Sequence, residues 1–262
     1  ETASHYAIPK AWREAGVRRY GFHGASHKYI AERSAELLGR EDIAERVRGL
    51  YSDGPGSEPE KPLRIVSCHL GGSSSVTGIR SGLAVGSSMG FSPQSGLPQN
   101  NRVGELDSMA IPFAMNEMGL TLGDCERQLT AESGLLGLSG VSNDLRDIHE
   151  AAGHDNADAQ LALDVLINSI RDWLGTFLVR MGGLDGIAFT GGIGENNPWL
   201  RAAVCEGLEA LGVRLDPAKN ESVSDGLLGA DGAACQVMVI PANEELVLAR
   251  ETRRFMEKRA AS

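Results

Sequence analysis

The sequence is short of several things at once. Its four cysteines, Cys68, Cys125, Cys205 and Cys235, lie far apart with no C-x-x-C pair; this argues against a disulfide framework or a cysteine zinc site and fits reduced thiols in a cytoplasmic protein. Aromatic residues make up 5% of the chain, and no apolar run reaches membrane-spanning length. Positive charge is in deficit as well. Twenty-five Lys and Arg against 35 Asp and Glu leave a net −10, an opposing field for any phosphate-backbone binder, so nucleic acid is set aside as a partner. Familiar nucleotide signatures are absent too. There is no Gly-Lys dipeptide for a Walker A loop, Asn197 stands where a Rossmann fingerprint wants its third glycine, and the HRD and DFG triplets of protein kinases are missing.

What is there in excess is glycine: 33 in 262 residues, against an ordinary usage of about 7%. The glycines cluster at 71–90, 134–140 and 182–194 beside apolar runs, the way a chain bends its backbone around something. With 42% hydrophobic residues the chain is long enough for a substantial core. It opens at Glu1 in a polar stretch without a domain start, which reads as a piece of something longer.

Along the chain, a short helix is expected near Pro9–Ala15, an extended run at Val17–Phe22, and a helix capped by Ser26 and ended by Gly39. The turn-rich stretch 52–62 reads as a surface loop. Leu63–Leu70 and Val76–Val85 read as strands, the second broken at Ser81-Gly82. Helical patterns follow from Asp107, the longest over Asp158–Met181, whose broad apolar face belongs in a core or at a subunit contact. After it come a buried strand at Gly186–Thr190, a glycine loop at Gly191–Asn197, a helix over Pro198–Leu211, a strand at Gln236–Ile240 and a helix from Asn243. The alternation is α/β with a mixed sheet.

Two glycine loops, His69-Leu70-Gly71-Gly72-Ser73 and Gly192-Ile193-Gly194-Glu195-Asn196, follow apolar strands. Backbone N–H groups converging without side chains in the way favour phosphate, and so does a helix start; either loop is equally readable as a tight turn. Gly86-Ser87-Ser88-Met89-Gly90 matches the G-x-S-x-G elbow, but loop residues follow it where that elbow needs a helix. His23 and His27 have the spacing of a helical zinc pair, with Gly24 between them and no zincin glutamate. His23, at the end of an apolar run, is either a buried hydrogen-bonded imidazole or a donor for developing charge. Arg102, in the irregular segment 92–107, is either a surface partner of Glu105 or Asp107, or a fork for carboxylate or phosphoryl oxygens. Asp144 and Arg146 read equally as a helix cap and its partner. Glu244 reads as a capping acid or as an orienter of water around Mg²⁺.

Six blocks in order resemble the acetate kinase family: RRYGFHGASHKY (18–29), CHLGG (68–72), SMGFSP (88–93), ESGLLGLSGVSNDLRD (132–147), FTGGIGEN (189–196) and PANEELVLARET (241–252). The resemblance implies the actin, hexokinase and Hsp70 (ribonuclease H-like) fold, with a mixed sheet flanked by helices and ATP between two related α/β domains. It implies Mg²⁺-dependent phosphoryl transfer between ATP and acetate, giving ADP and acetyl phosphate, by a cytoplasmic homodimer. His23 and Arg102 would stabilise the transferred phosphoryl. Phe22 and Pro93 would line a small acyl pocket. His69, Leu70, Gly71, Gly72 and Ser73, then Asp144, Leu145 and Arg146, then Gly192, Ile193, Gly194, Glu195 and Asn196 would line the nucleotide site, and Glu244 would serve the metal. On this reading residues 1–22 are the remnant of a preceding domain, and 23–262 form the C-terminal nucleotide-binding domain.

Three departures qualify the resemblance. Gly72 stands where the family usually has asparagine. NNRVGELD replaces GTRSGDLD around Arg102, and Val103 and Glu105 point toward propionate. No counterpart of the family's first domain precedes Glu1. Alternatives to the acetate reading are a non-catalytic nucleotide-binding module of the same fold and a propionate- or butyrate-type acyl kinase.

Overall fold

The apolar run ahead of the first glycine cluster forms β1 (Arg64–His69), and the run after it forms β2 (Ser75–Arg80) and β3 (Leu83–Ser87). Ser81 and Gly82 between them have φ of 50° and 84°, the left-handed backbone that lets a two-residue turn match strand twist. With β4 (Gly186–Thr190), β5 (Gly226–Leu227) and β6 (Gln236–Val239) these make one sheet in the order β3-β2-β1-β4-β6-β5. β1, β4 and β6 are parallel, and β5 is antiparallel to β6. The link from β1 to β2 is too short for a parallel crossover, so the sheet is mixed, as expected. β4 is buried along its whole length, which marks a strand covered on both faces.

This computed structural model describes residues 4–261, so Glu1 lies outside the described residues. Chain contacts divide it into two units. One takes the segment ending at Phe22, then Gly71–Val76 and Ser87–Leu174; the other takes His23–Leu70, Thr77–Gly86 and the segment from Gly175 onward.

In the second unit, α2 (Gly24–Leu37) and α3 (Glu41–Asp53) pack on the sheet through Ile30, Ala35, Ile43 and Val47 against Ile65, Ile79, Ala188 and Met238. Helix α3 is not among the elements expected from the sequence, although Ile43, Val47 and Leu50 keep helical spacing. Gly39 ends α2 with φ 67° as expected, but the start is corrected: the helix opens at Gly24 behind His23, and Ser26 is a buried residue of its first turn. The expected loop at Gly191–Asn197 is mostly a short helix, α9 (Gly191–Asn196). The helix after it, α10 (Pro198–Cys205), stops earlier than expected, because Gly207 turns left-handed at φ 71°. α11 (Pro217–Ser222) and the final α12 (Glu244–Ala261) complete the unit.

The first unit holds α1 (Lys10–Glu14), α4 (Ala110–Glu117), α5 (Leu122–Ala131), α6 (Gly134–Ser139) and α7 (Leu145–Gly153). Val17–Phe22 forms no strand; instead Arg19 donates to the carbonyls of Ser87 and Ser88, and the Tyr20 amide to that of Gly90. α8 (Ala157–Met181) runs on from this unit into the other. Its Leu163, Leu166, Ile170, Leu174 and Phe177 are buried, which makes its apolar face core, with Leu161 and Val179 left outside.

Candidate functional site

His23 precedes α2 with φ 59° and ψ 31°, a left-handed conformation that costs a non-glycine residue about 1–3 kcal/mol and concentrates at functional positions. The twist brings its ring onto that of His69 at the end of β1, with centroids 4.1 Å apart and planes within 22°. Ser26 Oγ lies 2.8 Å from His69 Nδ1, and Ser67 Oγ lies 2.8 Å from His27 Nδ1. Burial, then the neighbouring His69 and His23, pulls the His27 pKa down to about 3; burial also lowers that of His69. His27 is therefore a neutral core imidazole, whereas His23 and His69 are partly exposed.

The parallel pairing of β1 and β4 sets His69 opposite Thr190, so the chain leaves both strands at the same end of the sheet, the carboxyl end where open α/β sheets bind ligands. At the end of β4, the amides of Ile193 and Gly194 donate to the Leu70 carbonyl at 2.8 and 3.1 Å. Glu195 Oε1 accepts from the amides of Gly191 and Ala242 at 2.8 and 3.0 Å. This corrects the simplest picture of the second glycine loop: Ile193 and Gly194 spend their amides fastening α9 to β1, and Glu195 fastens it to the stretch before α12. The amide of Gly192, exposed at the start of α9, stays unclaimed among the described residues. Gly191, at φ 77°, has no room for a side chain, since a Cβ there would lie 2.6 Å from the Leu70 carbonyl oxygen. Gly191→Ala is expected to cost about 1–3 kcal/mol of stability; urea melts check this, and an unchanged midpoint would disprove it.

Arg102 lies in the first unit and pairs with neither Glu105 nor Asp107. Its Nη1 donates to Ser73 Oγ and to Gln99 Oε1, each at 3.3 Å, and it forms no ion pair among the described residues. Gln99 is buried, and its Nε2 donates to the Pro93 carbonyl at 2.7 Å. The segment is held backbone on backbone: a Cβ on Gly134 would lie 2.1 Å from the Gln99 carbonyl oxygen, and one on Gly104 2.7 Å from Leu97. The guanidinium thus sits partly buried on neutral acceptors with its charge uncompensated, which favours an incoming anion. In the same loop Gly72 is exposed, and a Cβ there would meet only Asn100 Nδ2, at 3.9 Å. Packing does not demand this glycine.

The side chains of Asp144 and Arg146 meet each other at the start of α7. Asp144 caps α7, accepting from the Arg146 amide at 2.9 Å, and pairs with the Arg146 guanidinium at 2.5 Å, while buried Leu145 packs inward. The hydrogen bonds from Arg146 hold the Asp144 carboxyl down near pKa 2. Phe22 and Pro93 are both partly buried. Neither lines the 610 Å³ cavity of this unit, which Ser92, Gln94, Val103, Glu105 and Trp173 help to form. Sequence reasoning missed Ser26, Gln99 and Thr190, the last a buried hydroxyl without a partner at the end of β4. Only Ser26, three residues after His23, carried a usable spacing.

Asn243 Oδ1 accepts from the Leu246 amide at 3.2 Å and so caps α12, leaving Glu244 on its first turn. The Glu244 carboxylate is partly buried and has no hydrogen bond or ion pair among the described residues. No cluster of three or more His, Cys, Asp or Glu converges as a metal cage among them either. One free carboxylate suits Mg²⁺, which keeps waters and substrate phosphates as its other ligands.

The sheet is mixed, with the end of β1 and the glycine-started helix after β4 at one end of its two central strands, in an α/β protein of the actin and hexokinase type. The chain belongs to the acetokinase family, whose sequence profile matches residues 1–49 and 55–250. It is 43% identical over 256 residues to an acetate kinase of Heliobacterium modesticaldum, covering 97% of this chain and 60% of that protein. To a propionate kinase of Citrobacter rodentium it is 44% identical over 253 residues, covering 95% and 58%. The crystal structure of Porphyromonas gingivalis acetate kinase superposes with a TM-score of 0.86 at 33% identity, over 98% of this chain and 60% of that one. The chain thus spans about 60% of the length of the curated relatives it matches. Residues 50–54, which the profile leaves out, lie at the end of α3 and the start of the stretch read as a surface loop, whose Ser52 and Asp53 belong to that helix instead.

Proposed function

We propose that the protein transfers a phosphoryl group between ATP and acetate or another short carboxylate, giving ADP and the acyl phosphate. The observation that carries this reading is Arg102, a partly buried guanidinium resting on Ser73 and Gln99 with no carboxylate to neutralise it. In the transfer a carboxylate oxygen forms a bond to the γ-phosphorus as the bond to the ADP oxygen breaks. The transition state is loose, with charge spread over the equatorial oxygens, so catalysis consists of positioning and of donors held ready. Arg102 supplies the cation. His23, stacked on His69, whose ring Ser26 holds, supplies an imidazole donor whose orientation is set before substrate arrives. Gly71 to Ser73, Asp144 to Arg146 and Gly192 to Asn196 serve the nucleotide, and Phe22 and Pro93 the acyl group. Glu244 is the residue fitted to hold Mg²⁺, which when bound offsets negative charge on the phosphates. The exposed apolar side chains of Met109, Phe113, Met118 and Leu122 support a homodimer. Four buried free cysteines, and the absence among the described residues of a helix long and apolar enough to cross a membrane, support a cytoplasmic protein.

A substrate panel on the full-length gene product tests the reading. ATP and Mg²⁺ with acetate or propionate are expected to yield acyl phosphate. Each further methylene is expected to lower kcat/KM by about tenfold or more. The proposal fails if no short carboxylate is turned over while ATP still binds.

A further inference from the structure

Arg201, in α10, is the largest fully buried side chain among the described residues, 1% exposed. A cation so placed needs acceptors for its fork of donors, and desolvation makes every one of them matter. All the acceptors here are neutral. Nη1 donates to the carbonyls of Gly194 and Glu195 at 2.8 and 2.7 Å, Nε to Asn220 Oδ1 at 2.8 Å, and Nη2 to the Asn220 carbonyl at 2.6 Å. Asn220, also buried, donates its Nδ2 to the Pro198 carbonyl at 2.9 Å.

The two carbonyls that Nη1 holds belong to the last turn of α9, where helix carbonyls have no partner inside the helix. Asn197 Nδ2 takes a third, that of Ile193, at 2.8 Å. The amides at the other end are fixed by the Leu70 carbonyl and by Glu195. The peptides on both sides of the Gly191–Gly192 peptide are therefore clamped, with the Gly192 carbonyl held by Asn196 Nδ2 at 2.9 Å, and the exposed Gly192 amide inherits its direction from these clamped neighbours. A lysine could not replace the arginine, because a single ammonium cannot span two carbonyls and both acceptors on Asn220.

We propose that Arg201, braced by Asn220, is a positioning residue for the nucleotide: without touching it, the buried fork sets the orientation of the Gly191–Asn196 peptides and so the affinity for ATP. The inference rests on the reading that these peptides serve the nucleotide. The test uses the full-length gene product, Arg201→Lys and Asn220→Ala, with ATP affinity by calorimetry, KM for ATP and for acetate, and hydrogen exchange without ligand. Both variants are expected to bind ATP about tenfold more weakly, to keep KM for acetate within twofold, and to exchange the Ile193 and Gly194 amides at least tenfold faster. Should Arg201→Lys fail to fold, Asn220→Ala, which keeps the guanidinium, decides alone. Folded variants with ATP affinity within twofold of the parent overturn the inference. So does an equal loss of ATP and acetate affinity, which would mark Arg201 as structural support only. If the unaltered protein binds ATP but ATP leaves exchange over 191–196 unchanged, the nucleotide reading of the loop falls, and the inference falls with it.

Discussion

Replacing Arg102 with alanine in the full-length gene product is expected to lower kcat for acyl phosphate formation by about a hundredfold to a thousandfold, or about 3–4 kcal/mol of transition-state stabilisation. The guanidinium already has its geometry fixed by Ser73 and Gln99, and its charge is not spent on a carboxylate. Little reorganisation is then needed when charge builds on the transferred phosphoryl. Removal should leave the fold intact, because both acceptors are neutral and Gln99 keeps its bond to the Pro93 carbonyl. Arg102→Lys should recover only part of the rate, since it restores the charge but not the planar fork. Steady-state kinetics with acetate and ATP, beside a thermal melt, give the answer. An alanine variant within threefold of the parent rate would remove Arg102 from the chemistry. A parent that binds ATP and turns over nothing would instead favour a non-catalytic nucleotide-binding module.

The second large effect is on stability. His27 titrates near 3 in the folded chain, against 6.5 for a free histidine, because burial and then His69 and His23 disfavour its cation. Its folded pKa is depressed, so its contribution is fully present above pH 6.5. Below that pH the unfolded chain takes up a proton that the folded chain refuses. Stability then falls by about 1.4 kcal/mol per pH unit down to about pH 3 from this one ring. His69, shifted the same way by burial, steepens the fall. Urea unfolding at pH 7.5, 6 and 5 should show it, and His27→Gln, which keeps a polar group for Ser67, should lose about 2 kcal/mol less than the parent between pH 6.5 and 5. Parallel pH profiles for parent and variant would refute the assignment.

Much of the architecture was legible in the sequence because its periods and breakers are local. Ser81-Gly82 showed as a break in one expected strand and is the turn between β2 and β3, while Gly39 marked the end of α2 and apolar spacing the long core helix. What escaped depended on distant partners. Ser26 looked like a cap and is instead a partner of His69 on another element. Val17–Phe22 had strand composition, but its neighbouring backbone at Ser87–Gly90 is irregular, so no ladder forms. At the site, the sequence leaves His23 and Arg102 two readings each; in the structure Arg102 rests on Ser73 and Gln99, His23 stacks on His69, and Asp144 and Arg146 pair with each other. Arg201 had no local mark at all, since nothing in a helical pattern tells a buried arginine from a solvated one.

The contact of Gly134 against the Gln99 carbonyl also bears on how such a protein can change its substrate. Any larger residue at 134 would displace the very strut on which Arg102 perches, so that position is closed to drift. On the proposed reading, adaptation to a bulkier acid falls to neighbours with space around them, and Val103 and Glu105, which border the cavity in the same unit, are where an altered diet would first be written.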